Sequence, residues 1–295
     1  MIKPLKLVGI IPTRDRPEDL QRLIQSISFL EIQKNAEFRL VIIDNSKHQS
    51  ALKVLKVLKK SNFPFTHDYI HEPKPGLSRA RNAAISHLRS GEYACTIDDD
   101  IILPTDYLLR VIGAIKKHPS AGVLGGRVEL FDSRDFPETI KTSTKCSTFN
   151  GTNGAFGFIH GCNMVIPSAT FKKVGVFDQK LGAGSKCRSA EDTDFYFRAW
   201  IKGLSVVYEP DLYVFHNHGR REIKDIKKLW QNYRIGQGAF YTKHIIRGNV
   251  SAMKLFYWNL SADFKRKSDK SGRLSAWKDR MEGGVHYLSQ VLIPS

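Results

Sequence analysis

The chain has 295 residues, enough for one large domain or two modest ones. Its composition, with 41% hydrophobic, 25% charged and 11% aromatic residues, excludes collagen-like, coiled-coil and wholly disordered classes. The 46 lysines and arginines outnumber the 29 acidic residues and give a formal net charge of +17. Such an excess indicates a polyanionic partner: nucleic acid, acidic lipid or a phosphorylated substrate.

The first 130 residues alternate short apolar segments with segments of helical periodicity. This alternation predicts an α/β fold, a mainly parallel Rossmann-like sheet with helices on both faces. The predicted strands cover 7–12, 38–43, 66–71, 92–97 and 123–131, and the predicted helices cover 17–30, 51–60, 77–88 and 107–117.

Residues 132–157 are rich in Ser, Thr, Asn and Gly and predict an irregular surface stretch. Beyond it, the pattern predicts strands at 159–166, 205–208 and 213–215, helices at 168–174 and 191–202, and a glycine-rich loop at 181–188. From residue 219 the sequence is mostly helical and strongly basic, with 16 basic and 6 acidic residues. We therefore predict a first domain at 1–218 and a basic helical C-terminal extension at 219–295.

The spacing of the cysteines and the hydropathy of the sequence indicate the cellular compartment of the protein. The four cysteines are scattered without a CxxC spacing, which is typical of a reducing environment and argues against a disulfide framework or a zinc site. The sequence shows neither a secretory signal pattern nor an uninterrupted apolar segment of membrane-spanning length. We expect a cytoplasmic protein whose membrane contact is peripheral.

Polar residues follow the predicted parallel strands, at the edge where open α/β sheets bind ligands. The first strand ends in residues 12–16, the second in Asp44 and the fourth in Asp98–Asp100. Three adjacent carboxylates repel one another unless a cation neutralises them, and carboxylates suit Mg²⁺ and Mn²⁺. The alternative for this triplet is a solvated acidic turn before the next helix.

Arginines and histidines flank these carboxylates in the sequence. Arg79 and Arg81 lie in the first turns of a helix opened by Gly76, where they would hold an anion or would simply be exposed. His216 and His218 alternate on a strand, so both would face one side. One of them would complete a carboxylate-bound metal site; the alternative is a solvated pair.

A second acidic group, Glu191, Asp192 and Asp194, opens a helix after the glycine-rich loop. Carboxylates in a first helical turn are favoured by the helix dipole in any case. The functional interpretation is a general base that takes a proton from an incoming hydroxyl.

In this order along residues 5–218, these segments resemble the motifs of the inverting family 2 glycosyltransferases, which have the GT-A fold. Two positions depart from the family pattern: Asp15 stands where Asn is usual, and Ser189-Ala190 stands where the family often has Gly-Gly. The segments that carry the resemblance are Pro12–Arg16, Asp44–Ser46, Gly76–Asn82, Asp98–Asp100, Gly161–Met164 with Gly175–Asp178, Glu191-Asp192, and His216 or His218.

The resemblance implies a nucleotide-binding half at 1–130 and an acceptor-side half at 131–218. Asp192 would be the catalytic base, and Asp100 with His216 or His218 would bind Mn²⁺ or Mg²⁺. The acceptor side would include Asn163, Glu191 and Asp194. The nucleotide sugar would contact Pro12, Thr13, Arg14, Arg16, Asp44, Arg79, Arg81, Asp98 and Asp99.

The implied reaction is metal-dependent, inverting transfer of a hexosyl or hexosaminyl group from a nucleotide-diphosphate sugar, with UDP as the expected nucleotide. The acceptor would be a hydroxyl of a glycan or lipid-linked molecule in cell-surface polysaccharide or glycoconjugate synthesis. The alternative is a non-catalytic basic protein on the same scaffold that binds membrane or nucleic acid. We expect no nucleic acid, because the acidic groups would repel its phosphates.

The basic extension suits an anionic membrane surface. Trp277, Met281, Val285, Leu288 and Leu292 share one face of its last predicted helix, which Gly283 and Gly284 would weaken. The alternative is that these helices pack on the first domain and leave a solvated basic face.

Overall fold

The structure is a computed structural model that describes residues 4–58, 62–151, 155–265 and 270–293. Residues 59 and 60, at the end of the second predicted helix, lie outside these ranges. The described strands are β1 (Leu5–Thr13), β2 (Ala36–Asp44), β3 (Thr66–His71), β4 (Glu92–Thr96), β5 (Ile101–Ile102), β6 (Ala121–Leu130), β7 (Ser147–Thr148), β8 (Met164–Pro167) and β9 (Ser205–His216). The helices are α1 (Pro17–Ser28), α2 (Leu52–Leu58), α3 (Leu77–Ile85), α4 (Tyr107–Lys117), α5 (Ser168–Val174), α6 (Glu191–Ile201), α7 (Ile223–Ile245), α8 (Val250–Lys265) and α9 (Lys270–Leu292).

All nine strands join one sheet in the order β3-β2-β1-β4-β8-β6-β9-β5, with β7 paired to β9. β1 pairs in parallel with β2 and with β4, β2 pairs in parallel with β3, and β6 pairs in parallel with β9. β8 runs antiparallel to both β4 and β6. β5 and β7 also run antiparallel to β9, so four of the eight pairings among the described strands are antiparallel. The longer ladders are the parallel ones, as predicted, and the carboxyl ends of β1, β2 and β4 meet at one edge.

Amphipathic helices cover both faces of this sheet with their apolar sides. Side chains of β1 alternate between the two, so that Leu7 and Ile11 join one core whereas Val8 and Ile10 join the other. The first core receives α1, α2 and α4, and the second receives α3, α5 and α6. Burial on both faces explains why these strands are continuously apolar in the sequence.

The C-terminal helices pack on the sheet domain. Phe240 of α7 and Leu255 of α8 enter the second core, and α9 lies along α7. The ammonium group of Lys243 on α7 forms ion pairs of 2.7 Å with both Asp178 and Asp194. No helix within the described ranges is both long and apolar enough to span a bilayer.

Several element boundaries differ from those predicted. β9 is one strand with a pairing irregularity opposite Gly126–Arg127, where the sequence predicts two. β8 begins at Met164 rather than at residue 159, because the loop at 159–161 turns towards the cavity described below. β5 and β7 have two residues each, too few to show periodicity. α9 continues through Gly283 and Gly284, although two glycines are expected to weaken a helix.

Candidate active site

A cavity of about 760 Å³ opens at the carboxyl ends of β1, β2 and β4, a size typical of sites for ligands of moderate size. The residues around it come from distant parts of the chain, because parallel strands end at one edge of the sheet. Eleven of the predicted site residues line it: Pro12, Thr13, Arg14, Arg16, Arg81, Asp98, Asp99, Asp100, Glu191, Asp192 and His216.

Asp99 and Asp100 share one guanidinium at the cavity wall. Arg16 Nη1 lies 3.3 Å from Asp99 Oδ1 and 3.1 Å from Asp100 Oδ2. The hydroxyl of Thr13 donates a 2.8 Å hydrogen bond to Asp99 Oδ2. Burial and the neighbouring Asp100 charge raise the pKa of Asp99 to about 7. Asp99 is buried, and Arg16 partly neutralises Asp99 and Asp100, which differs from the solvated turn of the alternative interpretation.

Asp100 also faces His216, whose Nε2 lies 3.4 Å from Asp100 Oδ1. Burial opposes ionisation of Asp100, but His216 and Arg16 hold its pKa far below the ordinary range. The other ring nitrogen of His216, Nδ1, lies 3.0 Å from the hydroxyl of Thr139. The imidazole is thus oriented by Thr139 on one side and directed at Asp100 on the other.

Arg81 is fully buried and links the two acidic groups. Its Nη2 donates to Asp98 Oδ1 at 2.8 Å, and its Nη1 donates to Glu191 Oε1 at 3.0 Å. Although burial lowers it, the charges of Asp98 and Glu191 hold the pKa of Arg81 above its ordinary value. Burial and the adjacent Asp192 raise the pKa of Glu191. Since both carboxylates engage the guanidinium, Arg81 positions them.

Asp192 lies on the first turn of α6 with its carboxylate at the cavity. Its Oδ2 accepts the backbone N–H of Gly161 at 2.9 Å, and its Oδ1 accepts the backbone N–H of Thr193 at 2.6 Å. A Cβ on Gly161 would lie 3.2 Å from the Cβ of Asp192 and 3.1 Å from the Arg81 guanidinium. The glycine allows this loop to approach both side chains closely.

Among the described residues, the donors in the cavity fit a divalent cation that is completed by a ligand. The carboxylate of Asp100 and the imidazole of His216 are ligand types that Mn²⁺ accepts, and Mg²⁺ commonly binds one or two carboxylates plus substrate phosphates. No third His, Cys, Asp or Glu donor atom of the described chain converges with these two. The described chain thus offers Asp100 and His216 as two candidate ligands, and phosphate oxygens and water would fill the remaining positions.

Five predicted residues lie outside the cavity lining of the described chain. Asp44 is fully buried, and both its oxygens accept bonds at the turn after β2, from Ser46 and from the Ala51 N–H. Its neighbour Asn45 lines the cavity instead. Arg79 lies two residues from Arg81 on α3, which places it on a different side of the helix.

The other three are Asn163, Asp194 and His218. The amide of Asn163 is buried and donates to backbone carbonyls of β6 and β9. Asp194 is buried against Lys243 of α7. His218 follows the end of β9 and does not line the cavity, but its ring lies against that of His216, with centroids 5.0 Å apart, and its buried Nε2 has no partner among the described residues. The acceptor-side roles expected of Asn163 and Asp194 therefore have no geometric support, whereas the metal role expected of His216 or His218 stays a prediction.

Sequence reasoning missed an entire wall of the cavity, which α7 supplies. Trp230, Tyr233 and Gln237 line it, and the hydroxyl of Ser189 donates to the Asn232 carbonyl at 3.0 Å. Trp230 and Tyr233 occur at helical spacing among basic residues, a pattern that equally describes a solvated amphipathic helix. His160, in the loop before β8, also lines the cavity, and burial lowers its pKa to about 4.

The architecture is the GT-A fold of glycosyltransferases. The structure matches the crystal structure of residues 1–349 of TarS from S. aureus with a TM-score of 0.60 and 16% identity, covering 95% of this chain and 81% of that one. It matches the mannosyltransferase PcManGT from Pyrobaculum calidifontis, determined with GDP-Man and Mn²⁺, with a TM-score of 0.57 and 14% identity, covering 99% and 76%. At these identities the likeness establishes the fold.

Residues 10–175 match the model of glycosyl transferase family 2, and residues 94–265 match that of glycosyl transferase family group 2. The chain belongs to glycosyl transferase family 2, which confirms the resemblance. The succinoglycan biosynthesis protein ExoM of Rhizobium meliloti (strain 1021) is 25% identical over 216 residues, 70% of this chain and 65% of that protein. An uncharacterized glycosyltransferase, RP339, of Rickettsia prowazekii (strain Madrid E) is 21% identical over 239 residues, 76% of this chain and 70% of that protein.

Proposed function

We propose that this family 2 glycosyltransferase is a metal-dependent, inverting enzyme that transfers a sugar from a nucleotide-diphosphate sugar to an acceptor hydroxyl. One observation carries the proposal: the Asp192 carboxylate and the Asp100–His216 pair line the same cavity, although more than 90 residues separate Asp100 from the other two. A base and a cation site in one cavity are the two components that a direct displacement requires.

The donor would lie along the ends of β1 and β4. Thr13, Arg14 and Arg16 form one wall, and Asp98 and Asp99 face it. Structures of similar fold contain UDP, UDP-GlcNAc or GDP-Man, which supports a nucleotide sugar as the donor class. We propose UDP as the nucleotide. Arg16 pairs with Asp99 and Asp100 but is half exposed and would present positive charge to the donor, whereas the guanidinium of Arg81 is fully buried between Asp98 and Glu191.

Asp100 and His216 would hold Mn²⁺ or Mg²⁺. The bound cation would neutralise the negative charge that develops on the leaving diphosphate. Asp98 is held by Arg81 with its side chain 28% exposed, which leaves it accessible to the donor. Thr139 holds the His216 ring and Arg81 holds Asp98, so both groups are preorganised before the substrates bind.

Asp192 would act as the general base. Its carboxylate takes the proton of the acceptor hydroxyl while the hydroxyl oxygen forms a bond to the anomeric carbon of the donor. The bond between that carbon and the diphosphate oxygen breaks, and the electron pair leaves with the diphosphate. A single displacement inverts the configuration and requires no protein nucleophile. The Gly161 and Thr193 N–H groups fix the orientation of the base.

The acceptor would be a glycan or lipid-linked molecule, bound against α7. Trp230 and Tyr233 offer flat apolar surfaces at the cavity, which suit the faces of sugar rings. The name of ExoM refers to succinoglycan biosynthesis, which supports polysaccharide synthesis as the process. We further propose that the protein is cytoplasmic and contacts an anionic membrane peripherally through residues 219–295.

A thermal-shift panel of UDP-, GDP- and dTDP-sugars, each with and without Mn²⁺, tests the donor class. We expect a rise in Tm only where the matching nucleotide and the metal are both present. The Asp192→Asn variant should retain this shift but lose transfer, by about 10²-fold or more. The exposed Asp68→Asn serves as the control and should keep both properties. Loss of donor binding in Asp192→Asn would exclude Asp192 as the base.

A further inference from the structure

Outside the active site, three metal-binding side chain types converge near the surface. His118 follows α4, Cys146 precedes β7, and Glu209 lies in β9. His118 Nε2 is 2.7 Å from Glu209 Oε2 and 3.9 Å from Cys146 Sγ. One donor atom from each of the three residues lies within 4.8 Å of the other two. None of the three lines the cavity.

We infer that His118, Cys146 and Glu209 form a binding site for a divalent cation of borderline softness, with Zn²⁺ the best chemical match. Thiolate, imidazole and carboxylate together select zinc over the hard cations Mg²⁺ and Ca²⁺. Zinc bonds of about 2.0 Å to nitrogen and oxygen and about 2.3 Å to sulfur place tetrahedral ligand atoms roughly 3.3 to 3.7 Å apart. The observed separations, 2.7 Å between nitrogen and oxygen and 3.9 Å between nitrogen and sulfur, lie on either side of this range. Small side-chain movements therefore complete the site and leave one position for water.

The surroundings of Glu209 are suited to a ligand carboxylate. Its side chain is 1% exposed, and its Oε1 accepts the Asp211 N–H at 3.2 Å, which directs Oε2 towards His118. Lys117 Nζ lies 3.0 Å from the same Oε2 and competes with a cation there. The Lys117 side chain is 53% exposed and also lies 3.7 Å from Asp211, so it has an alternative partner when a cation binds.

Cys146 is exposed, and Cys95, Cys162 and Cys187 are buried. Metal binding replaces the S–H bond of Cys146 by a sulfur–metal bond and releases one proton to solvent. The sequence argues against zinc because no two cysteines are closely spaced. The site instead combines one donor from each of three separate parts of the chain.

A cation at this position would fasten the irregular segment at 132–146 to β9. That segment carries Thr139, which holds His216 in the active site, and Tyr208 of β9 already donates a 2.7 Å bond to the Ser143 carbonyl. The site would thus stabilise the support of one wall of the cavity without contacting substrate.

Cobalt titration of the full chain, in excess Mg²⁺ to occupy hard-cation sites, tests this inference. A Co²⁺–thiolate bond gives a charge-transfer absorption in the near ultraviolet, which carboxylate and imidazole ligands alone do not give. We expect this band to saturate at one equivalent and to disappear on addition of Zn²⁺. The variants Cys146→Ser and His118→Gln should each lose the band.

Two matched variants keep the test specific. Cys162→Ser removes a thiol at the active-site cavity, and His48→Gln removes an exposed imidazole far along the chain, so both should retain the band. Circular dichroism of each variant confirms that it is folded. Absence of the band in the wild-type protein, or its survival in either Cys146→Ser or His118→Gln, would overturn the inference.

Discussion

Asp194 is a buried carboxylate whose two oxygens are held by basic groups from two helices. Lys243 Nζ lies 2.7 Å from Oδ1, and Arg198 Nε lies 2.8 Å from Oδ2. The Asp194→Asn variant removes the carboxylate that neutralises Arg198 and one of the two that neutralise Lys243, which costs about 3–5 kcal/mol of unfolding free energy. Urea denaturation measures the loss. The exposed Asp68→Asn, which also loses an ion pair, should cost less than about 1 kcal/mol.

The pH dependence of stability tests the same residue. Burial alone would raise the pKa of Asp194, but Lys243 and Arg198 hold it far below its ordinary value. Because the folded pKa is depressed, the carboxylate stabilises the fold above about pH 4, and this contribution falls as the pH decreases towards the folded pKa. The stability difference between wild type and Asp194→Asn should therefore shrink below about pH 4. A difference that stays constant there would contradict the assignment.

Ala190 shows where the departure from the family pattern has a structural cost. It directly precedes α6 with φ of 75°, a left-handed conformation that favours glycine. Ala190→Gly relieves this strain and should raise the free energy of unfolding by up to about 1 kcal/mol. Ala199→Gly, the same change inside α6, should instead lower it by about 1 kcal/mol or more. Equal losses in the two variants would show that Ala190 is not strained.

At the scale of elements, glycines set the distance between α7 and α9. A Cβ on Gly283 would overlap the carbonyl oxygen of Ile235 on α7, whereas a Cβ on Gly272 in the same helix would meet no atom of the described residues within 4 Å. Gly283→Ala should separate the helices and lower Tm, and Gly272→Ala should raise Tm through its higher helix propensity. Since α7 carries Trp230 and Tyr233, Gly283→Ala should also raise KM for the acceptor more than for the donor. Differential scanning calorimetry and steady-state kinetics measure these effects.

Element order was predictable from the sequence because apolar runs and helical periodicity are local properties. The buried strands β1, β2 and β4 and the helices α1 and α4 were predicted within a few residues. The loop at 159–161 was assigned to a strand, because Ile159 continues the apolar pattern. Its true course depends on Gly161, which contacts Arg81 and Asp192 from distant elements, and such contacts leave no periodic signal.

At the scale of the whole molecule, the candidate site divides into a predictable and an unpredictable half. Strand ends must meet at one edge of a parallel sheet, so the proximity of Thr13, Asp100 and Arg16 followed from topology. The position of the wall formed by α7 did not follow from topology, since it depends on how a helix after the last strand folds back over the loop at 181–188. The same long-range packing buries Asp194 against Lys243 of α7.

The outer face of α9 carries exposed apolar side chains. Leu274, Met281, Val285 and Leu292 are 60–76% exposed along it, because α9 packs on α7 through its glycines and polar residues. Lys278 lies on the same side of α9 by helical spacing, and Lys254 on α8 and Arg247 in the turn before α8 are also exposed. Each is worth about 1 kcal/mol near an anionic surface. An apolar face beside basic side chains is typical of a helix that lies in a membrane interface.

The full chain should therefore co-sediment with vesicles that contain an anionic phospholipid, and not with purely zwitterionic vesicles. The double variant Met281→Ser/Val285→Ser should weaken this binding by about tenfold or more, because each side chain contributes apolar area to the interface. The control Ile32→Ser/Leu109→Ser changes two similarly exposed residues outside the extension and should leave binding unchanged. If the wild-type chain does not bind anionic vesicles at low salt, or if both double variants bind as it does, α9 is not a membrane contact.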